Sequence, residues 1–289
     1  MTGNFGNFGN FGNFGNFGNF GNFGNFGNST GGGGGFVADR VDLPFLTDPK
    51  VNNQQFAPTE FGIRRWSSHW YPWVVLADLT MLPWPTRLTL IPMPAAGSQK
   101  FKDDLKALKT MALDERPDAL GEIIAQADEF LSLFLALVGA NASSHPATMK
   151  VLNIADAITA LICMHFKAKV NRPRPVQVIP GLLPPIQHTG HASYPSGHAT
   201  QAHVFALFLS HIIPAASAPN VADVTLALAA RVARNREIAG LHYPSDSEAG
   251  IDLAQQIFTM LTDEAFMRNG AATPSKISVA IDAAKAEWN

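Results

Sequence analysis

Cysteine is almost absent from this chain of 289 residues, because Cys163 is the only one. A single cysteine excludes an internal disulfide, so the fold does not depend on oxidation. Net charge is also nearly absent: 21 Lys and Arg residues stand against 23 Asp and Glu residues, which leaves −2. Without a field of either sign, the sequence gives no indication of a nucleic-acid partner or of an anionic membrane surface. The charges that matter must act locally.

Long apolar runs are lacking as well. The longest ones, residues 130–138 and 204–214, are too short to cross a bilayer. The start Met-Thr-Gly-Asn has neither the basic nor the apolar region of a secretory signal. We therefore expect a soluble protein with no membrane span, cytoplasmic as the sequence stands or periplasmic if a signal has been removed.

The first 35 residues contain no charge and no aliphatic core residue. Residues 3–28 repeat Gly-Asn-Phe, and a linker with five glycines follows. Such a segment cannot offset its ordering entropy, so we expect residues 1–35 to be disordered and residues 36–289 to form one catalytic domain. A non-enzymatic alternative makes the repeat an assembly scaffold and the domain its passenger. The sequence fixes no oligomeric state and leaves a homo-oligomer open.

Helical patterns dominate the chain beyond Ser98. Residues 36–94 are rich in proline and aromatic residues with little periodicity, which predicts an irregular layer or short strands. Further helices are predicted over 100–113, 118–138, 144–169, 196–213, 220–238, 245–267 and from 275 to the end. The expected fold is all-α, a helical bundle with an irregular N-terminal layer.

Two short segments combine anion-binding groups with predicted helix boundaries. Lys167 lies at the end of one helix and Arg174 just beyond it, so a point charge and a planar fork of donors can reach one anion. Ser196, Gly197 and His198 open the next helix, where free backbone N–H groups favour an anion. Each segment alone has an ordinary alternative: a basic helix end, a serine cap and a structural histidine.

A third segment adds a cation and a histidine–carboxylate pair. Arg236 lies six residues before His242 and can reach the same anion. Asp246 follows four residues after His242, a spacing that lets the carboxylate hold one ring nitrogen and leave the other as nucleophile or metal ligand. His198 can exchange protons near neutral pH. The three segments together predict an oxyanion pocket.

Zinc binding is the competing chemical interpretation. The candidate ligands are His188, His191, His198, His203, His242 and Asp246. Their spacings fit no standard zinc motif, and the nearby cations would oppose a divalent metal, so this interpretation carries little weight.

The three segments, spanning residues 167–246, resemble the superfamily of type 2 phosphatidic acid phosphatases, bacterial class A acid phosphatases and vanadium-dependent haloperoxidases. One departure is Asn235, where the superfamily usually has serine. It could alter one oxyanion contact. The resemblance implies a helical bundle with His198 as the acid–base group. The oxyanion would be bound by Lys167, Arg174, Ser196, Gly197 and Arg236.

The resemblance implies one of two roles for His242. In the phosphatases the matching histidine attacks phosphorus and becomes a phosphohistidine, whereas in the haloperoxidases it is the vanadium ligand. His191, seven residues before His198, makes this stretch more similar to algal bromoperoxidases. The shorter chain and Met164, where Trp or Arg is frequent, favour the acid phosphatases instead.

On balance, the resemblance leads us to predict a vanadate-dependent haloperoxidase. It would oxidise halide, bromide above all, with hydrogen peroxide to hypohalite, and His191 would assist halide handling or proton supply. The alternative is a soluble acid phosphatase that hydrolyses phosphomonoesters through a phosphohistidine and needs no cofactor.

Overall fold

The computed structural model describes residues 61–62, 65–187 and 190–289. The expectations for the repeat and linker at 1–35, for residues 36–60 and for His188 lie outside the described residues. Within the described ranges every regular element is a helix and no strand occurs, which confirms the predicted all-α class.

The helices are numbered here in chain order. The α-helices are α1 (Tyr71–Thr80), α2 (Gln99–Asp114), α3 (Arg116–Ala125), α4 (Leu131–Leu137), α5 (Pro146–Val170), α6 (Pro175–Val178), α7 (Gly197–Ile212), α8 (Val221–Ile238), α9 (Pro244–Thr262), α10 (Glu264–Arg268) and α11 (Lys276–Lys285). Two short 3-10 helices, Trp84–Arg87 and Pro180–Leu182, lie between them.

Capping residues explain several of the boundaries. The side chains of Ser98, Ser196 and Ser275 each accept a hydrogen bond from a backbone N–H in the first turn of α2, α7 and α11. At its other end, α5 stops where Asn171 adopts φ 54, a left-handed conformation that asparagine tolerates better than most residues. This turn leads directly into the segment that carries the two buried arginines Arg172 and Arg174.

Three predicted elements differ from the structure. The irregular N-terminal layer contains the helix α1, because Tyr71, Val75 and Leu79 recur every four residues and are buried on one face. The helix predicted over 118–138 is two helices, separated by residues 126–130, whose backbone carbonyls include the partners of His198. The helix predicted over 245–267 is broken at Asp263, which caps α10 through the N–H of Phe266.

The core is built around α7. This helix packs against α5, α8 and α9, and α5 packs in turn against α1 and α11. Gly250 on α9 permits the closest approach, because a Cβ at this position would lie 2.8 Å from the backbone oxygen of Ser196. The contact brings the start of α9 beside the start of α7, where the N–H of Ser196 donates to the backbone oxygen of Asp246 at 2.9 Å.

Among the described residues, one helical stretch, Pro146–Val178, is long and apolar enough to cross a membrane. About two thirds of its most apolar window (67%) is buried inside the protein. This stretch contains α5, the central partner of α7, and a buried core helix passes the same length and composition test. The stretch Pro146–Val178 differs from the two apolar runs considered in the sequence, residues 130–138 and 204–214.

Candidate active site

One pocket collects residues from all three predicted segments. Six of the nine predicted site residues line it: Arg174, His191, Gly197, His198, Arg236 and His242. The other three do not line it: Lys167, Ser196 and Asp246. Asp246 bonds to His242, the backbone N–H of Ser196 donates to the backbone oxygen of Asp246, and Lys167 donates to the carbonyl of Pro195, next to Ser196. Residues as far apart in the sequence as Lys167 and Asp246 therefore meet at the ends of α5 and α8 and at the starts of α7 and α9.

The orientation of His242 is fixed by a partner at each ring nitrogen. Nδ1 lies 3.1 Å from Oδ2 of Asp246, and Nε2 lies 3.0 Å from Nη1 of Arg174. The carboxylate can only accept from Nδ1–H, and the guanidinium can only donate to Nε2. Burial, followed by the charges of Arg174 and Lys167, lowers the pKa of His242 well below its ordinary value. The ring is therefore neutral, and its lone pair is on Nε2, in the pocket.

Asp246 is completely buried and receives hydrogen bonds from four groups. Its Oδ2 accepts from the hydroxyl of Ser193 at 2.5 Å and the backbone N–H of Tyr243 at 3.0 Å, besides His242. Its Oδ1 accepts from Arg172 at 2.7 Å. Burial raises the pKa of Asp246, and Arg172 is the strongest of the contacts that oppose this rise. The four donors all favour the ionised carboxylate.

Arg236 has donors that no described residue satisfies. Its side chain is buried, and Nη2 donates to the backbone oxygen of Ile123 at 2.7 Å. Nε and Nη1 are also buried, yet neither has a hydrogen-bond partner among the described residues. Burial lowers the pKa of Arg236 to about 10, so it remains a cation at neutral pH. Leaving charged donors unmet in a protein interior is costly, and an oxyanion in the pocket removes that cost.

Arg174 is held by the two loops that face each other across the pocket. Nε donates to the backbone oxygen of His191 at 3.0 Å, and Nη1 donates to that of Leu241 at 2.9 Å. Nη2 lies 3.0 Å from Nδ1 of His191. Burial, Lys167 and Arg174 together lower the pKa of His191 to about 3, so that Nδ1 accepts as a neutral nitrogen. The guanidinium is thus presented in a fixed orientation beside Nε2 of His242.

Within the described part of the chain, His198 has no charged hydrogen-bond partner. Its Nε2 lies 3.2 Å and 3.3 Å from the backbone oxygens of Gln126 and Ala127, and its ring stacks on Phe130 at 5.1 Å. Burial and then the charge of Arg236 lower the pKa of His198 to about 3. The two carbonyls select the tautomer with hydrogen on Nε2, which leaves Nδ1 as the basic nitrogen.

Lys167 is turned toward the loop that precedes α7. Its Nζ donates to the backbone oxygens of Ala192 at 2.9 Å, Ser193 at 2.9 Å and Pro195 at 2.6 Å. An ammonium group has three N–H donors, so these carbonyls use all of them. Burial, with Arg174 adding to it, lowers the pKa of Lys167 to about 7. The expected contact of Lys167 with the anion stays a prediction, and the contacts seen are those of a residue that shapes the loop.

Three polar side chains near the site were not among the predicted site residues. Arg172, two residues before Arg174 in the first segment, was not among them, although it binds Asp246. Ser193 also binds Asp246, and nothing in its local sequence indicates this contact. Asn235 was singled out only as a departure from the superfamily that could alter one oxyanion contact, and that contact stays a prediction. In the structure its amide donates to Glu122 at 3.0 Å and to the side chain of Gln126 at 2.9 Å, at the segment that holds His198.

The zinc interpretation finds no support in the described part of the chain. Within it, no group of three or more His, Cys, Asp or Glu side chains is arranged to hold a metal ion. His203, one of the proposed ligands, uses Nδ1 on the backbone oxygen of Ala199 in its own helix, at 2.8 Å.

A buried His–Asp pair beside two buried arginines, at converging helix ends of an all-helical bundle, is typical of an enzyme that handles a phosphate-like oxyanion. Residues 149–265, which include every predicted site residue, match the model of the PAP2 superfamily.

Among solved structures, the chain is similar to the "first transmembrane PAP2 type phosphatidylglycerolphosphate phosphatase from Bacillus subtilis". The TM-score is 0.43 and the sequence identity 19%, over 65% of this chain and 92% of that one. No curated protein sequence gave a match.

Proposed function

We propose that the protein is a PAP2 superfamily phosphatase that hydrolyses phosphomonoesters through a phosphohistidine at His242. The observation that carries the proposal is the pair of unmet buried donors on Arg236, in the same pocket as the neutral Nε2 of His242. The superfamily match favours phosphoryl transfer over the bromide oxidation that the sequence led us to expect.

In the first step, the ester phosphate lies between Arg174 and Arg236, which neutralise its charge. The lone pair on Nε2 of His242 forms a bond to phosphorus as the ester P–O bond breaks. The positive charge that develops on the imidazole is stabilised by the carboxylate of Asp246 through Nδ1–H. His198 gives a proton to the departing alkoxide, so that an alcohol leaves.

In the second step, water attacks the phosphorus of the phosphohistidine. His198 accepts a proton from this water, the N–P bond breaks, and its electron pair returns to Nε2 of His242. Inorganic phosphate leaves the pocket. His242 is then neutral again, with its lone pair on Nε2. His198 carries the proton taken from water and releases it to solvent, which restores the state before substrate bound.

The low pKa of His198 is compatible with this role. Two of the causes that lower it are burial and the charge of Arg236, and a phosphate dianion beside Arg236 opposes the second. Substrate binding therefore raises the pKa of His198, so that His198 takes up a proton when the substrate binds. The two carbonyls at Nε2 keep the ring in place during the exchange.

A vanadate-dependent haloperoxidase is the second candidate, and His191 is the observation that favours it. This histidine lines the pocket and contacts Arg174, so it is available to a bound oxyanion or halide. The unmet donors of Arg236 suit vanadate as well as phosphate, and Arg174, Arg236 and His242 would hold it. Bound vanadate would supply the activation of hydrogen peroxide for halide oxidation.

The two candidates are separated by assaying one preparation in two ways. We expect it to hydrolyse p-nitrophenyl phosphate, to be inhibited by orthovanadate, and to give no bromination of monochlorodimedone with hydrogen peroxide and vanadate. Bromination without hydrolysis would establish the haloperoxidase instead. Deleting residues 1–35 tests the scaffold alternative, which requires unchanged turnover together with loss of self-association.

A further inference from the structure

We propose that Arg172 and Asp104 form a positioning device for the nucleophile: together they hold Asp246 ionised and in place, and through it they set the orientation of His242. The inference rests on the proposed function, because it concerns the same histidine. Neither Arg172 nor Asp104 lines the pocket, so both act through other side chains.

Arg172 makes its strongest contact with the carboxylate that holds His242. It is only 3% exposed, and Nη1 donates to Oδ1 of Asp246 at 2.7 Å and to the hydroxyl of Ser245 at 2.8 Å. Its guanidinium lies over the ring of Tyr243, 3.7 Å from the centroid. The guanidinium is therefore fixed by a stacked ring and by the first turn of α9, the helix on which Asp246 lies.

The backbone of Arg172 adds a second route to the same carboxylate. Its carbonyl oxygen accepts from the N–H of Ser193 at 2.9 Å, and the Ser193 hydroxyl donates to Oδ2 of Asp246. Arg172 thus contacts Oδ1 directly and positions Ser193, one of the three partners of Oδ2. A displacement of Arg172 would loosen both contacts together.

Asp104 holds the far side of Arg172. It lies on α2, is 2% exposed, and its Oδ2 is 3.4 Å from Nη2 of Arg172. The same oxygen accepts a hydrogen bond from Ser245. Asp104, Arg172 and Asp246 therefore form a buried row of alternating charges. Removing one member of such a row leaves an uncompensated buried charge, so each depends on the next.

The row of Asp104, Arg172 and Asp246 stabilises the ionised form of Asp246, a role that differs from that of the cations in the pocket. Arg174 and Arg236 face the reacting oxyanion, whereas Arg172 reaches Asp246 from behind and is the largest of the influences that lower its pKa against burial. An ionised Asp246 is required when positive charge develops on His242. Asp104 lies on α2, outside the residues 149–265 that match the superfamily model.

The test compares three variants with a matched control. Arg172→Met removes the charge and keeps the length of the stem, Arg172→Lys restores the charge without the fork, and Asp104→Asn removes only the far anchor. Arg87→Met is the control, because Arg87 also pairs with a carboxylate, Asp263, and lies over an aromatic ring, Phe266, but outside the site.

We expect Arg172→Met to lower kcat by about 10- to 100-fold, with KM changed by less than about 2-fold, since the residue orients a group rather than touching substrate. Its acid limb in the pH dependence of kcat should move upward by about one pH unit, because a nearby positive charge no longer favours ionised Asp246. Arg172→Lys should recover most of the pH shift and part of kcat. Asp104→Asn should lower kcat by about 3- to 10-fold, and Arg87→Met should match the wild type.

A second readout does not depend on turnover. In ¹⁵N spectra of histidine-labelled protein, His242 should be protonated at Nδ1 in the wild type and a mixture of tautomers in Arg172→Met and Asp104→Asn. A wild-type protein that hydrolyses no phosphomonoester refutes the proposed function while these spectra still test the inference. If Arg172→Met does not fold, Asp104→Asn decides: wild-type kcat, acid limb and His242 spectrum in that variant would overturn the inference.

Discussion

The two histidines to which we assign catalytic roles, His242 and His198, are held in opposite ways. His242 depends on a charged network: Asp246 on one nitrogen, Arg174 on the other, and Arg172 behind the carboxylate. His198 depends on two backbone carbonyls and one aromatic ring, and no ionised side chain among the residues that the structure describes bonds to it. The difference corresponds to their proposed roles. A nucleophile that becomes positively charged needs a permanent counter-charge, whereas a group that gains and loses a proton must not be fixed in either state.

The largest expected effect comes from removing the nucleophile. His242→Ala should lower phosphomonoester hydrolysis by more than about 10³-fold, because no other described group replaces Nε2 in the first step. The assay is turnover of p-nitrophenyl phosphate, with His69→Ala, an exposed histidine, as control. Full activity of His242→Ala would contradict the proposed mechanism, in which His242 is the nucleophile.

The next largest loss of activity should come from removing the negative charge of Asp246. Asp246→Asn keeps the shape of the side chain but can offer Nδ1 of His242 a donor instead of an acceptor, so kcat should fall by about 10²- to 10⁴-fold. Phosphate should still bind, since Arg174 and Arg236 remain. The measurement is kcat together with the inhibition constant of inorganic phosphate. A variant that loses phosphate binding but keeps kcat would contradict the role given to Asp246.

The anion contact itself is tested at Arg236. Arg236→Met removes the two buried donors that lack a partner and should lower kcat/KM by about 10²- to 10³-fold. Vanadate inhibition should weaken in parallel, because vanadate uses the same donors. Arg231→Met serves as comparison, since that arginine lies on the same helix but is exposed and pairs with Glu122. Unchanged vanadate inhibition in Arg236→Met would show that the anion binds elsewhere.

A smaller effect should appear on the His198 side. Asn235→Ala removes the bonds to Glu122 and Gln126 and so loosens the segment whose carbonyls hold His198. We expect a loss of about 3- to 10-fold with an alkyl phosphate, whose poor leaving group needs the proton, and a lesser loss with p-nitrophenyl phosphate. Asp246→Asn should lower the turnover of both substrates by the same factor. Equal losses with both substrates in Asn235→Ala would contradict the assignment of leaving-group protonation to His198.

The smallest expected effect concerns stability. His198 has a pKa of about 3 in the folded protein, lowered by burial, and about 6.5 when unfolded. Between these values the unfolded state binds a proton that the folded state does not, so this contribution is complete above pH 6.5 and is lost as pH falls toward 3. His198→Gln should lower the slope of unfolding free energy against pH there by up to about 1.4 kcal/mol per pH unit. Denaturant titrations from pH 4 to 6 check this, and an unchanged slope would contradict the buried neutral state.

Most of the helices, and the residues of the three segments that line one pocket, could be predicted from the sequence because their signals are local. Ser98, Ser196 and Ser275 mark helix starts, and the three segments bring charge and helix ends together within a few residues. The break between α3 and α4 could not be predicted in this way, since its carbonyls matter only to His198, about 70 residues away.

The positioning residues escaped prediction for the same reason. Asp104 bonds to Ser245, 141 residues later, and neither belongs to a local motif. A signal was nevertheless present: Asp104, Leu108 and Met111 share the buried stripe of α2, so a carboxylate occupies a core position of an amphipathic helix. Charged residues are rarely buried without a partner, and such a position calls for a cation from elsewhere in the fold.

The phosphohistidine itself is the most direct test of the central claim. The protein should be mixed with ³²P-labelled phosphomonoester, quenched in alkali, and analysed for a phosphoryl group that resists alkali but is released by acid. We predict that this label appears on His242 in the wild type, is absent in His242→Ala, and accumulates when the second step is slowed. A wild-type protein that turns over substrate without any such label, or that brominates with vanadate and peroxide instead, would contradict it.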